Sequence, residues 1–303
     1  MTAATVAGVR EVVSRAGMFS APDDIRVARL RGVQSLNNSI WTVMNALSGE
    51  RYVVRIANPD AVTHLGVRRS EEFAAARSAA AVGVGPGVLY FDPESGDMVT
   101  PLIESGPSWD ARDFRDPGRM SRLVELMRRM HAVTDLPGDD FSVFRRVERL
   151  LDGAFDLGLE TPPRLGEHRR RLADIESERI ADIRRLPGLN HNDLWANNLL
   201  DDGVRLLLID WEFAGLGDGL YDLATASLAG EYGPSEDARL LGQYGLDSPG
   251  DLAALLSMKW VARFFEASWA LMMHGRSAVQ NVGTAQFDYL EHSQRMFTAL
   301  SDS

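Results

Sequence analysis

His191, Asp193 and Asn198 share one short segment, His191-Asn192-Asp193-Leu194-Trp195-Ala196-Asn197-Asn198, and Asp210 closes the apolar run Leu206-Leu207-Leu208-Ile209 that follows. Two carboxylates and an amide set out in this way are what moving a γ-phosphoryl group requires. One carboxylate orients the attacking hydroxyl and accepts its proton, and the remaining oxygens hold Mg²⁺ against the phosphates. Asp193, Asn198 and Asp210 supply all three. An Asp or Asn taken singly is an ordinary turn residue; the combination and its order carry the chemistry.

The elements around these residues follow from pattern. Leu206 to Ile209 reads as a buried strand, so the Asp210 carboxylate emerges at a strand end. The turn Asp201-Asp202-Gly203 separates Asn198–Leu200 from Val204–Ile209 and predicts a hairpin that brings Asn198 and Asp210 together. Upstream, Arg10 to Met18 has helical spacing. Ile25–Leu30, Ile40–Met44, Tyr52–Ile56, Val88–Phe91 and Met98–Ile103 read as strands, with an Ala-rich helix from Ser70 to Val82 inserted among them. After Ser105-Gly106-Pro107-Ser108 the pattern turns mainly helical, starting with Pro117 to Ala132; the catalytic segment interrupts it, and helices are expected again from about Asp251. Two units follow, residues 1–103 and 104–303.

The offsets of His191, Asp193 and Asn198 match the H-x-D-x-x-x-x-N loop of protein kinases. With Ile209-Asp210-Trp211-Glu212-Phe213-Ala214-Gly215 and Tyr221-Asp222-Leu223-Ala224, the chain resembles the choline/ethanolamine kinases, part of the larger aminoglycoside-phosphotransferase group. The likeness spans most of the chain, but only this segment is highly specific. It implies an α+β, protein-kinase-like two-lobe fold. A small antiparallel β lobe with one helix would bind nucleotide, and a larger, mainly helical lobe would carry catalysis and substrate. It also implies ATP and Mg²⁺ as cofactors, with Asp193 and His191 in the catalytic loop and Asn198 and Asp210 on the metal. A protein kinase itself is disfavoured, because Trp-Glu-Phe follows Asp210 where Phe-Gly is expected.

Further residues take expected roles from the same likeness. Ser35, Asn37 and Asn38 lie between the first two strands, where backbone N–H groups and small polar side chains can donate to phosphates. Arg55, in Val53-Val54-Arg55-Ile56, stands where kinases carry a phosphate-binding cation, and a guanidinium can hold two phosphate oxygens. Glu72, in preference to its neighbour Glu71, would pair with Arg55. Leu102 and Ile103 would offer backbone groups to adenine. His131 and Asp222 read as scaffold.

The aromatic stretch Trp260 to Met272 resembles the family's choline-binding helix, since a quaternary ammonium is recognised by electron-rich rings. Trp269 fits the second tryptophan of the F-F-W-x-x-W pattern, while Glu266 replaces the first. A carboxylate there also suits an amine that donates hydrogen bonds. Trp211, Glu212 and Tyr221 would complete the cage.

Composition sets the outer limits. The 303 residues, 45% apolar and 25% charged, suit a globular protein with a substantial core. The net charge of −11 makes nucleic acid a poor partner and would favour a cationic substrate by long-range attraction, which the family likeness implies to be a small amino alcohol. Without cysteine there is no disulfide or thiolate chemistry. No run approaches the roughly twenty apolar residues of a membrane span, and Met1 to Arg10 lacks the features of a secretory signal, so a cytoplasmic location without membrane insertion is expected. Monomer and homodimer are both open. Ethanolamine, thiamine and aminoglycosides are the alternative acceptors, and a catalytically silent nucleotide- or amine-binding protein is the alternative of another class.

Overall fold

The computed structural model describes all residues except 1–4, 19–23, 31–37, 60–61, 63–64, 139–140, 183–184, 281–286 and 302–303. In chain order the elements are α1 (Val6–Arg15), β1 (Ile25–Arg29), β2 (Ser39–Asn45), β3 (Arg51–Ile56), α2 (Arg69–Ala81), β4 (Tyr90–Phe91), β5 (Met98–Pro101), α3 (Ala111–Arg115), α4 (Pro117–His131), α5 (Val143–Asp156) and α6 (Leu165–Ala181). There follow β6 (Pro187–Asn190), β7 (Leu199–Asp201), β8 (Leu206–Leu208), β9 (Gly215–Asp218), α7 (Leu220–Ala229), α8 (Pro234–Tyr244), α9 (Pro249–Gln280) and α10 (Tyr289–Ser301).

β1 to β5 form one antiparallel sheet in the order β1-β2-β3-β5-β4. Helix α1, capped by the Thr5 hydroxyl on the Gly8 amide, presents Val9, Val12 and Val13 at helical spacing. They bury against Ile25, Trp41, Val43, Val54 and Val99 from one face of the sheet. Helix α2 is alanine-rich, so its buried side (Ala75, Ala76, Ala79 and Glu72) sits close to the short 3₁₀ turn Trp211–Phe213.

Of the remaining helices, α5, α6, α7, α8 and α10 pack on α9, most extensively α5, α7 and α10, while α4 packs on α3, α8 and the small ladders. Leu123, Leu126, Met127, Met130, Leu151, Leu223 and Phe264 are all fully buried in this core. Each such side chain contributes roughly 1.5–3 kcal/mol by leaving water. Capping sharpens two starts. Asp116 accepts from the Arg119 amide with Pro117 at the first helical position of α4, and Ser142 accepts from the Arg145 amide at α5.

Two small ladders lie within the helical part. β6 pairs antiparallel with β9, and β7 with β8. β6 runs so close to the end of α4 that a Cβ on Gly188 would stand 2.0 Å from the His131 carbonyl oxygen, so only glycine fits there. Three sequence expectations shift. Helices resume at Leu220, not near Asp251, because Leu220–Ala229 is buried around most of its circumference, Asp222, Thr225 and Ser227 included, and shows no amphipathic period. β4 is only Tyr90–Phe91, although the Leu89 amide still reaches the Val99 carbonyl. Asn198 ends a 3₁₀ turn, and the strand starts at Leu199.

Candidate active site

β6 delivers His191, Asn192 and Asp193 to the junction between the sheet and the helices, and Asp222 at the start of α7 fixes their path. Its carboxylate, fully buried, accepts from the His191 amide at 2.9 Å and the Asn192 amide at 2.8 Å, and lies 3.1 Å from His131 Nε2. His131 Nδ1 in turn meets the Tyr244 hydroxyl at 2.8 Å. The Asn192 side chain donates to the Phe213 carbonyl at 2.9 Å, and its backbone takes φ 65°, a left-handed value that asparagine tolerates better than most residues. His131 and Asp222 therefore build the loop and do not face the cavity.

Asp193 is tied to Asn198, whose Nδ2 donates to its carboxylate at 2.7 Å and its carbonyl at 2.8 Å. The β7–β8 hairpin pairs Leu199 with Leu208, and the Ile209 amide reaches the Asn198 carbonyl at 3.0 Å, which holds Asp210 beside Asn198. Asp210 also has a left-handed backbone (φ 67°), a strained conformation of the kind that collects at functional sites. Burial pushes the Asp193 carboxyl up to about 7, with Glu212, Asp222 and Glu266 adding to the rise and Asn198 opposing it. Burial and the neighbouring Glu212 push Asp210 well above the carboxylate range.

That accumulation of negative charge is what a bound cation relieves. Asp210 Oδ1 is buried and makes no hydrogen bond among the described residues, and the Asn198 amide oxygen, which accepts from Asn197 Nδ2 at 3.2 Å, belongs to the residue bonded to Ile209 just before it. An all-oxygen set with so few protein ligands fits Mg²⁺, which keeps waters and phosphate oxygens in most of its positions. Among the described residues no cluster of three or more His, Asp or Glu side chains forms a closed metal cage.

Arg55 of β3 ion-pairs with Glu72 of α2, reaches the Gly96 carbonyl at 2.8 Å and lies 3.5 Å from Asp210 Oδ1. Burial disfavours its charge, but the carboxylates of Glu72 and Asp210 outweigh that and hold its pKa above the ordinary value. Glu72 also bonds Arg69 at 2.9 Å, whereas Glu71 faces Arg68 near the surface. Removing one partner of a buried pair strands the other charge. Glu72→Ala is expected to cost about 3–5 kcal/mol of stability and to raise the nucleotide KM, whereas Glu71→Ala stays within about 1 kcal/mol; thermal melts and nucleotide titrations of both variants check this.

A cavity of about 270 Å³ opens beside Asp193. Asp193, Asp210, Glu212 and Glu266 line it, with no Lys or Arg among the described lining residues. Trp195, Phe213, Tyr221, Phe265, Trp269 and Phe287 supply ring surface. Glu212, 5% exposed, accepts from Asn38 Nδ2 at 3.3 Å, which links the start of β2 to the site. A larger depression of about 710 Å³ between α5 and α6 holds interleaved opposite charges, with Arg169 bonded to both Glu148 and Asp152, and carries no comparable constellation.

Several expected residues sit elsewhere. Ser35 and Asn37 lie outside the described residues. Trp211 does not reach the cavity: it is 3% exposed, its Nε1 donates to the Leu208 carbonyl at 3.2 Å, and its ring meets His191 edge-on at 4.8 Å. His191 is fully buried, with Nε2 2.9 Å from the Ile209 carbonyl, and burial lowers its pKa. It braces the hairpin and touches no reacting group. The Leu102 amide is already donated to the Arg51 carbonyl at 3.0 Å, so it is not open to adenine, and Ile103 is half-buried just beyond. Trp195, Phe265, Phe287 and His292 line the cavity without having been anticipated. Phe265 was signalled by its place beside Glu266, whereas His292 arrives from the last helix and carried no local signal.

The sequence model of the phosphotransferase enzyme family, APH, matches residues 34–256. Protein LicA of Haemophilus influenzae is 29% identical over 188 residues, a match spanning 60% of this chain and 67% of that protein; a second LicA sequence from the species is covered over 53% of its length. A choline/ethanolamine kinase family protein from Mesorhizobium loti superposes with a TM-score of 0.71 at 24% identity, covering 97% of this chain and 95% of that one. Choline kinase LicA from Streptococcus pneumoniae gives 0.70 at 21% identity, covering 92% and 94%. The fold is therefore the protein-kinase-like, two-lobe α+β arrangement, with the antiparallel sheet first and the helical part after it.

Proposed function

The chain belongs to the phosphotransferase enzyme family, and on that premise we propose that it is an ATP- and Mg²⁺-dependent kinase that phosphorylates the hydroxyl of choline or a related amino alcohol. One observation carries the reading. The cavity joins four carboxylates to aromatic walls with no Lys or Arg among the described lining residues, so it offers a place to a metal at one end and to an organic cation at the other. In this reading residues 1–103 bind nucleotide and 104–303 hold the chemistry and the acceptor, in a cytoplasmic enzyme supplied with ATP.

Asp193 orients the acceptor hydroxyl and takes its proton, a task for which a carboxyl pushed up by burial is suited. Asn198 and Asp210 would hold Mg²⁺, which when bound neutralises charge on the phosphates. Arg55, kept rigid by Glu72, presents fixed positive charge beside Asp210. The aromatic walls and Glu266 keep the amine end in place, and exclusion of water strengthens each of these interactions.

The nearest alternative acceptors are thiamine and aminoglycosides. A cavity of about 270 Å³ falls below the roughly 300–1,000 Å³ that encloses drug-sized ligands, which favours a small acceptor. ADP release measured with choline, ethanolamine, thiamine and gentamicin tests the assignment. Mg²⁺-dependent turnover at least about 100-fold higher in kcat/KM for the amino alcohols is expected; faster turnover of gentamicin or thiamine would contradict it.

A further inference from the structure

The far wall of the cavity is built where α9 meets the start of α10. Glu266 lines the cavity from α9, and its Oε1 lies 2.8 Å from Nε2 of His292 on α10. His292 Nδ1 lies 2.9 Å from Arg295 Nη2. A guanidinium only donates, so Nδ1 is the acceptor and the imidazole proton sits on Nε2, from which it donates to Glu266. The imidazole is neutral in this arrangement and leaves the full negative charge of Glu266 in the cavity.

The ring of His292 is itself braced. Phe287 packs 5.1 Å from it and 5.0 Å from Tyr289, and Tyr289 meets Trp269 edge-on at 5.7 Å. The His292 side chain is 12% exposed and that of Glu266 26% exposed. One carboxylate oxygen is thus held in a fixed direction, while the other makes no hydrogen bond to a described residue.

We propose that His292 positions Glu266 as a hydrogen-bond acceptor for an N–H of the substrate ammonium, so that the enzyme favours amino alcohols whose nitrogen carries at least one hydrogen over the quaternary amine. This rests on the amino-alcohol reading above and narrows it. Aromatic faces attract any ammonium, methylated or not. A carboxylate oxygen that has lost its water needs a donor, and a quaternary nitrogen has none. Discrimination therefore arises at the last methylation, where the final N–H disappears, and not gradually with size.

The test is kcat and KM for ethanolamine, N-methylethanolamine, N,N-dimethylethanolamine and choline, in the wild type and three variants. In the wild type kcat/KM is expected to hold through the dimethyl compound and to fall about 10-fold or more at choline, since a site built around a substrate N–H rejects the analogue lacking it. Glu266→Trp, which replaces the carboxylate by a ring, removes the step. His292→Leu raises KM for the N–H-bearing amines with kcat little changed, and His292→Gln, whose amide can still donate to Glu266, restores it. A loss of fold would lower turnover of all four amines alike in a variant, and thermal melts read it separately. Choline turned over as well as the dimethyl compound by the wild type, or an unchanged step in Glu266→Trp, overturns the inference alone. No turnover of any of the four overturns the amino-alcohol reading and the inference with it.

Discussion

Replacing Asp193 by asparagine is expected to lower kcat by about 10²–10⁴, the share that a positioned general base supplies, while nucleotide binding stays nearly unchanged. The substitution keeps the shape and the contact with Asn198 but removes the proton acceptor. It also removes a carboxyl that burial and the charges of Glu212, Asp222 and Glu266 make costly to ionise. Thermal stability should therefore hold or rise, which separates the effect from unfolding. Single-turnover phosphorylation, calorimetric nucleotide binding and melting curves on the same preparations check all three parts. Residual turnover is expected, because Arg55, the metal site and the positioning of the acceptor persist. A variant with wild-type kcat would remove Asp193 from the mechanism.

Asp210→Asn is expected to cost at least about 10³-fold in kcat, the size that follows when several kcal/mol of metal-borne charge stabilisation is lost. Asparagine tolerates the left-handed backbone that Asp210 adopts, so the hairpin end should keep its shape. What disappears is the carboxylate oxygen that makes no hydrogen bond to a described residue, the attraction this wall would offer a divalent ion. The Mg²⁺ concentration for half-maximal activity should rise in parallel, and Arg55, relieved of one carboxylate, retains Glu72 as its partner. Activity titrated against Mg²⁺ at saturating nucleotide measures both. An unchanged Mg²⁺ requirement would place the metal elsewhere.

The local part of this site was legible in the sequence because its geometry is local. Asn198, the Asp201-Asp202-Gly203 turn and Asp210 belong to one hairpin, and a continuous apolar run after a glycine turn is enough to bring the ends together. Arg55 and Glu72 were legible only through the family likeness, since nothing in the neighbourhood of either residue states that β3 and α2 face one another. The β6–β9 ladder was not legible. Pro187–Asn190 and Gly215–Asp218 are short and glycine-containing, and their pairing is stabilised by tertiary contacts such as the approach of Gly188 to His131.

Side-chain direction was the other gap. Trp211 is adjacent to Asp210 and aromatic, so sequence reasoning placed it in the amine cage. The left-handed turn at Asp210 sends it inward against His191 and the Leu208 carbonyl, while Glu212 and Phe213 take the cavity side. His292 shows the reverse case. Its role depends on α10 folding back onto α9, a long-range contact that no periodicity announces.

The central claim is transfer of a phosphoryl group to the hydroxyl of a small amine, and product identity by phosphorus NMR tests it most directly. With ATP, Mg²⁺ and an amino alcohol, a phosphomonoester resonance coupled to the alcohol's methylene protons should grow as the γ-phosphate signal falls, and it should be almost absent with Asp193→Asn. ATP converted only to ADP and inorganic phosphate, or ester formation unaffected by the Asp193 substitution, would contradict the account.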